Sequence, residues 1–296
     1  MIPSRLMAIQ ILCVAGPTAS GKSSRAVEEA LVRGGEIISV DSRQVYRGLD
    51  IGTEKITHEE MRGVPHHLID IRDPRDAYSA GDFVKDATRL IKDISARKKL
   101  PILAGGTHFY FDALLRGLPT DVDANPALRA ELERLSSEEL YARVEAADKR
   151  RAIELDPQNR RRLIRALEII ETRGVVPPRA QNDDGEPRYT VEWIVIDPPC
   201  EELREKIDAR LASAIARGLI DEVRRVREEV GDARLNELGL EYRVTGEFLR
   251  SNVDLAVSPP SQLGGETAKL LNALSAKLWQ YARRQKAWLR KLDLSK

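Results

Sequence analysis

Hydrophobic positions along this chain follow two alternating periods. Apolar runs of strand length lie near residues 9–15, 36–41, 66–71 and 100–104, and helical spacing fills the intervals between them. A further run, Val191-Glu192-Trp193-Ile194-Val195-Ile196, comes much later. This alternation predicts an α/β fold, a parallel sheet with helices on both faces. Between Leu118 and Pro187 the pattern is helical, with loops at each end. Pro177-Pro178 and Asn182-Asp183-Asp184-Gly185 mark the later break. Three parts are therefore expected: core residues 1–118, a helical insertion at 119–187, and 188–296, which completes the core and adds C-terminal helices. Leu203, Ile207, Leu211, Ile215, Leu219, Val223, Val226 and Val230 predict one of those helices. Leu271, Leu274, Leu278, Tyr281, Gln285, Trp288 and Leu292 predict the other. Gln285 interrupts that second stripe, and a polar side chain on a buried face needs partners.

The first strand runs into Gly16-Pro17-Thr18-Ala19-Ser20-Gly21-Lys22-Ser23, and a helical pattern follows from Arg25 to Arg33. Strand, G-x-x-x-x-G-K-[ST] and helix together make a phosphate cradle, so the sheet is expected to be of the P-loop type. Gly16 and Gly21 are expected to turn the backbone so that its N–H groups point inward. Lys22 adds a point charge, Ser23 offers a hydroxyl to Mg²⁺, and the helix N-terminus favours an anion. The ligand class is a phosphorylated small molecule.

The loop alone leaves the reaction open. A kinase or an ATPase would carry a second apolar strand ending in an Asp that holds Mg²⁺. Leu100 to Ala104 is the strand placed for this, but Gly105-Gly106-Thr107 follows it. Two other strands do end in Asp: Ile37 to Val40 leads into Asp41, and Leu68-Ile69 into Asp70. Ligands of open α/β sheets bind beyond the carboxyl ends of the strands, so Asp41 is placed to face the phosphate loop. There it can hold Mg²⁺ through water, accept a proton from a nucleophile, or simply cap the turn.

The stretch Asp41-Ser42-Arg43-Gln44-Val45-Tyr46-Arg47-Gly48-Leu49-Asp50-Ile51-Gly52-Thr53-Glu54-Lys55 resembles the signature of tRNA dimethylallyltransferases. So do Pro65-His66-His67-Leu68-Ile69-Asp70, Tyr78-Ser79-Ala80-Gly81-Asp82-Phe83, Gly105-Gly106-Thr107, Arg165-Ala166-Leu167-Glu168 and the closing block Tyr281 to Arg290. The resemblance implies transfer of a dimethylallyl group from its pyrophosphate to the exocyclic amine of an adenosine just 3′ of a tRNA anticodon. The phosphate loop, Gly16 through Ser23, would then grip a leaving pyrophosphate, with Mg²⁺ on Ser23. Asp41 resembles the family's base, Thr107 and Arg129 its contacts to the reacting groups, and Arg210 a pyrophosphate-binding arginine. Asp41, Ser42, Arg43, Gln44, Arg161, Arg162, Arg165, Arg283, Arg284 and Gln285 match positions that meet tRNA. By the same resemblance the helical insertion clasps the anticodon stem-loop. Apart from the resemblance, a solvated helix face is the commoner fate of an arginine and the favoured reading of each. Gly239-Leu240-Glu241-Tyr242-Arg243 departs from the commoner Gly-Tyr-Arg, Leu278-Trp279 from Thr-Arg, and Asp148-Lys149 lacks the usual proline.

Composition narrows the picture only a little. At 296 residues the chain exceeds a usual single core. A net charge of +1 excludes a strongly basic polyanion binder, so any RNA contact must be local. Arg160-Arg161-Arg162 with Arg165, and Arg283-Arg284 with Lys286, Arg290 and Lys291, are the two basic clusters. Two cysteines, Cys13 and Cys200, suggest neither a disulfide scaffold nor a zinc site. No apolar run is long enough to span a bilayer, and the short apolar start feeds the phosphate loop rather than a cleavage site. A cytoplasmic monomer is expected. Prenyl transfer to tRNA, a small-metabolite or nucleotide kinase, and a non-catalytic RNA-binding module remain the readings to separate.

Overall fold

The computed structural model describes residues 8–118, 122, 125–177, 188–251 and 265–292. In chain order the elements are β1 (Ile9–Ala15), α1 (Lys22–Arg33), β2 (Gly35–Val40), α2 (His58–Met61), β3 (His66–His67), α3 (Ala80–Ala96), β4 (Leu100–Gly105) and α4 (His108–Arg116). Then come α5 (Pro126–Leu132), α6 (Ser137–Ala147), α7 (Lys149–Ile153), α8 (Arg160–Arg173), β5 (Tyr189–Val195), α9 (Cys200–Ala216), α10 (Leu219–Leu235), α11 (Leu240–Arg250) and α12 (Gly265–Leu289). The chain divides into two compact units, residues 1–111 with 188–296, and residues 112–187. The second unit thus starts earlier than the 119 expected from the pattern. The break signals from Pro178 to Gly185 lie outside the described residues.

The first unit holds a five-stranded sheet in the order β3-β2-β4-β1-β5, every pair parallel. From Ile11 to Ala15 no residue of β1 is exposed, as a parallel strand covered on both faces requires. Leu12, Val14, Ile37, Ile102 and Ala104 face α1 through Ala26, Val27 and Ala30. Their strand neighbours Ile11, Cys13, Ile38 and Leu103 alternate to the other face and are equally sealed. The α3 helix lies against β1, β2 and β4 and buries Phe83, Ala87, Leu90, Ile91 and Ile94. Its start is fixed by a capping box, Ser79 with Asp82.

Three expectations change. The strand near 66–71 shrinks to two residues, because Leu68 and Asp70 take positive φ (63° and 55°) and turn the chain out of the sheet. The stripe from Leu203 to Val230 belongs to two helices: Gly218, at φ 98°, ends α9 and starts α10. In α12 the inward face is Thr267, Leu270, Leu274, Leu278, Ala282, Gln285, Lys286 and Leu289, whereas Tyr281 faces outward at 39 % exposure. Lys286, grouped with the basic cluster from sequence, is therefore buried. Its ammonium pairs with Asp197 and donates to the Pro198 carbonyl at 2.5 Å.

In the second unit, α5 to α8 enclose Leu132, Leu140, Val144, Leu163, Ile164, Leu167 and Ile169. Glu168, with a side chain sealed from solvent, accepts from Arg129 at 2.8 Å, from Arg165 at 3.4 Å and from the Asn125 N–H at 3.1 Å.

A second buried carboxylate organises the first unit. Glu222 of α10 accepts from the backbone N–H groups of Asp50, Ile51 and Gly52 at 3.0, 2.9 and 2.9 Å, and from the Tyr242 hydroxyl at 2.6 Å. Gly52 is required here, because a Cβ would lie 2.8 Å from the Tyr242 ring. Replacing Glu222 with Ala strands these buried donors, and the expected loss is about 3 kcal/mol of unfolding free energy or more, read from urea denaturation.

Candidate functional site

Register places the site. Ala15 pairs with Gly105 on one side of β4, and Val40 pairs with Gly105 on the other. The three strands therefore end level, and Gly16, Gly106 and Asp41 leave the sheet side by side. Asp41 and Gly16 are two inter-strand spacings apart, roughly 10 Å. Gly105 permits the close approach, since a Cβ there would sit 2.1 Å from the Val40 carbonyl oxygen. The Thr107 N–H then donates to that carbonyl at 3.1 Å.

The loop from Gly16 to Gly21 turns back on itself before α1. Gly21 caps α1 at φ 84°, and Ala19 takes the other left-handed position at φ 62°. Gly16, expected to turn the chain, serves for space instead: its Cβ would meet Ser20 Oγ at 2.5 Å and the Ile196 carbonyl at 2.9 Å. The helix carries no side-chain cap, and the N–H groups of its first turn lack intrahelical acceptors, which leaves them for an anion. Ser20 Oγ is buried in the same loop without a partner. Ser23 is exposed.

The positive groups converge from distant parts of the chain. Lys22 donates to the Pro17 carbonyl at 3.2 Å. Burial lowers its pKa to about 8, with Asp41 acting against that shift and Arg210 adding to it. Arg210 of α9 donates to Thr18 Oγ1 at 2.7 Å. Gln285 of α12 is 3 % exposed; its carbonyl oxygen accepts the Thr18 N–H at 2.8 Å, and its amide donates to the Gly106 carbonyl at 2.9 Å. The interrupting glutamine thus finds one partner on the phosphate loop, and both ends of its amide are engaged inside the fold.

Opposite the loop, Asp41 Oδ1 accepts from the N–H groups of Arg43 at 2.8 Å and Gln44 at 3.3 Å. The turn-capping role is real, and it fixes the carboxylate; Oδ2 takes no part in these bonds. Thr107 Oγ1 accepts the Ser42 N–H at 3.1 Å, tying the tip of β4 to the same turn. Gln44 is turned inward, donating to the Thr53 and Glu54 carbonyls at 3.2 and 3.1 Å. Tyr281 stands nearby, its phenol pKa pushed up by partial burial and by the charges of Asp41 and Glu241. Asp70, expected at a strand end, lies three residues beyond β3 and is paired with Lys55 at 2.5 Å.

The remaining sequence-marked residues lie elsewhere. Arg283 and Arg284 are exposed on α12. Arg129, Arg161, Arg162 and Arg165 belong to the second unit. Arg161 and Arg162 are exposed, whereas Arg129 and Arg165 neutralise Glu168, and Arg165 also donates to the Val122 carbonyl at 2.5 Å. Sequence reasoning missed Glu222, Glu241 and Tyr242; of these only the departing block Gly239 to Arg243 carried any mark.

Comparison with known proteins bears on this geometry. Residues 44–292 match the profile of the IPP transferase family. The chain is 41 % identical to a tRNA dimethylallyltransferase of Thermomicrobium roseum over 289 residues, 95 % of this chain and 84 % of the relative. With the tRNA dimethylallyltransferase of Roseiflexus sp. it shares 40 % identity, over 96 % of this chain and 91 % of that one. The solved tRNA isopentenylpyrophosphate transferase of Bacillus halodurans superposes with a TM-score of 0.69 at 34 % identity, covering 97 % of this chain and 88 % of its own. A eukaryotic dimethylallyltransferase captured acting on tRNA superposes with a TM-score of 0.78 at 25 % identity, over 95 % and 70 % of the two chains.

Lys22 makes anion binding pH-dependent. Its ammonium is charged below about pH 8 and neutral above, and an anion binds the charged form better. Affinity for inorganic pyrophosphate is therefore expected to fall as pH rises through 8, by up to about tenfold per unit. Calorimetry on Lys22→Gln in parallel cancels the titration of the ligand itself, and that variant is expected to lack the extra fall.

Proposed function

The chain belongs to the IPP transferase family, and we propose that it moves the dimethylallyl group of dimethylallyl pyrophosphate onto the exocyclic N6 amine of an adenosine just 3′ of a tRNA anticodon, releasing pyrophosphate. The observation that carries this reading is the level register of three strand tips, which sets Asp41 beside the phosphate loop. The activities for which its relatives are named support it over the kinase alternative. So does the tip of β4, where Gly105-Gly106-Thr107 stands in place of the aspartate a phosphoryl-transfer site would use.

Two chemical demands meet there. An aromatic amine is a weak nucleophile, because its lone pair is drawn into the ring. Asp41, with Oδ1 anchored to the turn, offers Oδ2 to accept the amine proton. As the allylic carbon–oxygen bond breaks, negative charge grows on the departing pyrophosphate. Lys22, Arg210 and the first-turn N–H groups of α1 are placed to receive that charge. Ser20 Oγ is a buried hydroxyl for which a phosphate oxygen would supply the missing partner. A hard cation suits the oxygen donors present, and Mg²⁺ held by Ser23 and the pyrophosphate would add Lewis-acid stabilisation of the leaving group.

The adenosine has to leave its stack to enter, at a cost of a few kcal/mol that RNA contacts must offset. Arg43, Arg283 and Arg284 in the first unit and Arg161 and Arg162 in the second are the cations we assign to that task, with the anticodon stem-loop as partner and a monomer as the working form. Among the described residues no helix is long and apolar enough to cross a membrane. A cytoplasmic place of action is part of the same proposal.

Incubation with Mg²⁺, labelled dimethylallyl pyrophosphate and an anticodon stem-loop bearing adenosines is expected to label the RNA. Transfer from ATP to a small metabolite, with unlabelled RNA, would establish the kinase reading instead; tight RNA binding without either reaction would leave a binding module. Asp41→Ala is expected to lower turnover by roughly 10² to 10⁴ while RNA affinity, followed by gel shift, changes much less. An unchanged rate in that variant removes Asp41 from the base role.

A further inference from the structure

Arg210 is gripped from two sides. One guanidinium nitrogen donates to Thr18 Oγ1 at 2.7 Å, and the other meets Glu241 Oε1 at 3.3 Å. Glu241 stands in the first turn of α11, and the two side chains are only 19 % (Arg210) and 15 % (Glu241) exposed. A carboxylate this buried must have a partner to offset its desolvation, and Arg210 is that partner.

The placement is otherwise adverse. Burial raises the pKa of Glu241, Arg210 acts against that shift, and the charges of Asp41 and Glu54 reinforce it. A negative charge here also repels any anion held by the phosphate loop. If charge balance alone governed the site, a neutral residue would serve better. What the carboxylate supplies is direction. A guanidinium presents five N–H donors in one rigid plane, and two fixed corners define where the rest point. Thr18 is itself a phosphate-loop residue, so Glu241, Arg210 and the loop form one continuous chain of contacts.

We propose that Glu241 is a positioning residue for the diphosphate subsite: it sets the plane of Arg210 so that the remaining N–H donors face the anion in the loop. It governs affinity for the diphosphate donor without touching it. This rests on the reading of the loop as a pyrophosphate site. Glu241 lies in the block Gly239 to Arg243, where the sequence leaves the commoner pattern.

Positioning and simple repulsion predict opposite signs. Binding of inorganic pyrophosphate with Mg²⁺ is measured by calorimetry on the full chain, wild type and variants. Glu241→Ala is expected to weaken it about tenfold, and Glu241→Gln, which keeps an acceptor, less. Under turnover, kcat/KM for dimethylallyl pyrophosphate falls by at least the same factor, because Arg210 also meets the charge growing on the leaving group, while RNA affinity holds. On an Arg210→Ala background, removing Glu241 is expected to cost nothing further. Tighter or unchanged binding in Glu241→Ala, or a full additional loss on the Arg210→Ala background, overturns the proposal. Should Glu241→Ala fail to fold, Glu241→Gln carries the test, and binding tighter than wild type overturns it. If the wild type binds pyrophosphate but never labels RNA, prenyl transfer falls, and Glu241 is still judged on the binding data.

Discussion

One side-chain amide holds the site together. Gln285 bonds the Thr18 N–H with its oxygen and the Gly106 carbonyl with its nitrogen, joining α12 to the phosphate loop and to the tip of β4. Each bond is buried, so each is electrostatically stronger than its counterpart in water, and losing either would strand a polar group. A phosphate loop is in general a flexible glycine-rich turn. Here it is braced by a residue 267 positions away along the chain. Arg210, reaching Thr18 from α9, adds a second brace at the same residue.

Around this clamp the charges are arranged as an opposed pair of faces. Lys22 and Arg210 lie on the loop side, and Asp41 lies across the tip of β4. Lys22 feels both of the others: burial lowers its pKa to about 8, Asp41 resists that fall and Arg210 adds to it. Neither face is free to drift. The cationic face is tied through Pro17 and Thr18, and Asp41 is tied through its own turn, with Thr107 and Ser42 closing the gap between β4 and that turn. Farther back, Glu222 gathers three consecutive backbone N–H groups and so fixes the segment after Arg47 against α10.

Much of this was legible in the sequence because it is local. Apolar runs announce β1, β2, β4 and β5, and the glycine-lysine-serine turn between β1 and α1 is recognisable from its own residues, although its braces are not. Asp41 was legible as well, since a strand end fixes its direction. What stayed hidden depends on contacts across long sequence separations. Nothing near Glu222 reveals that it serves Gly52, 170 residues earlier. The end of α9 was masked because Leu219 resumes the apolar stripe directly after Gly218. The resemblance gave Arg129 to the reacting groups and Arg165 to tRNA, and nothing local reveals that a sealed carboxylate, Glu168, pairs with both. The shortening of β3 has no apolar signature, because it comes from backbone angles at Leu68 and Asp70.

The bracing by α12 also has a consequence for biogenesis. The phosphate loop, Asp41 and four of the five strands are translated by residue 105 and β5 by residue 195, yet the glutamine that locks the loop is residue 285. A nascent chain can assemble the sheet long before it owns a finished anion site. Competence for chemistry is thereby withheld until α12 has been made, and a product that stops between β5 and α12 has a sheet but an unlatched cradle.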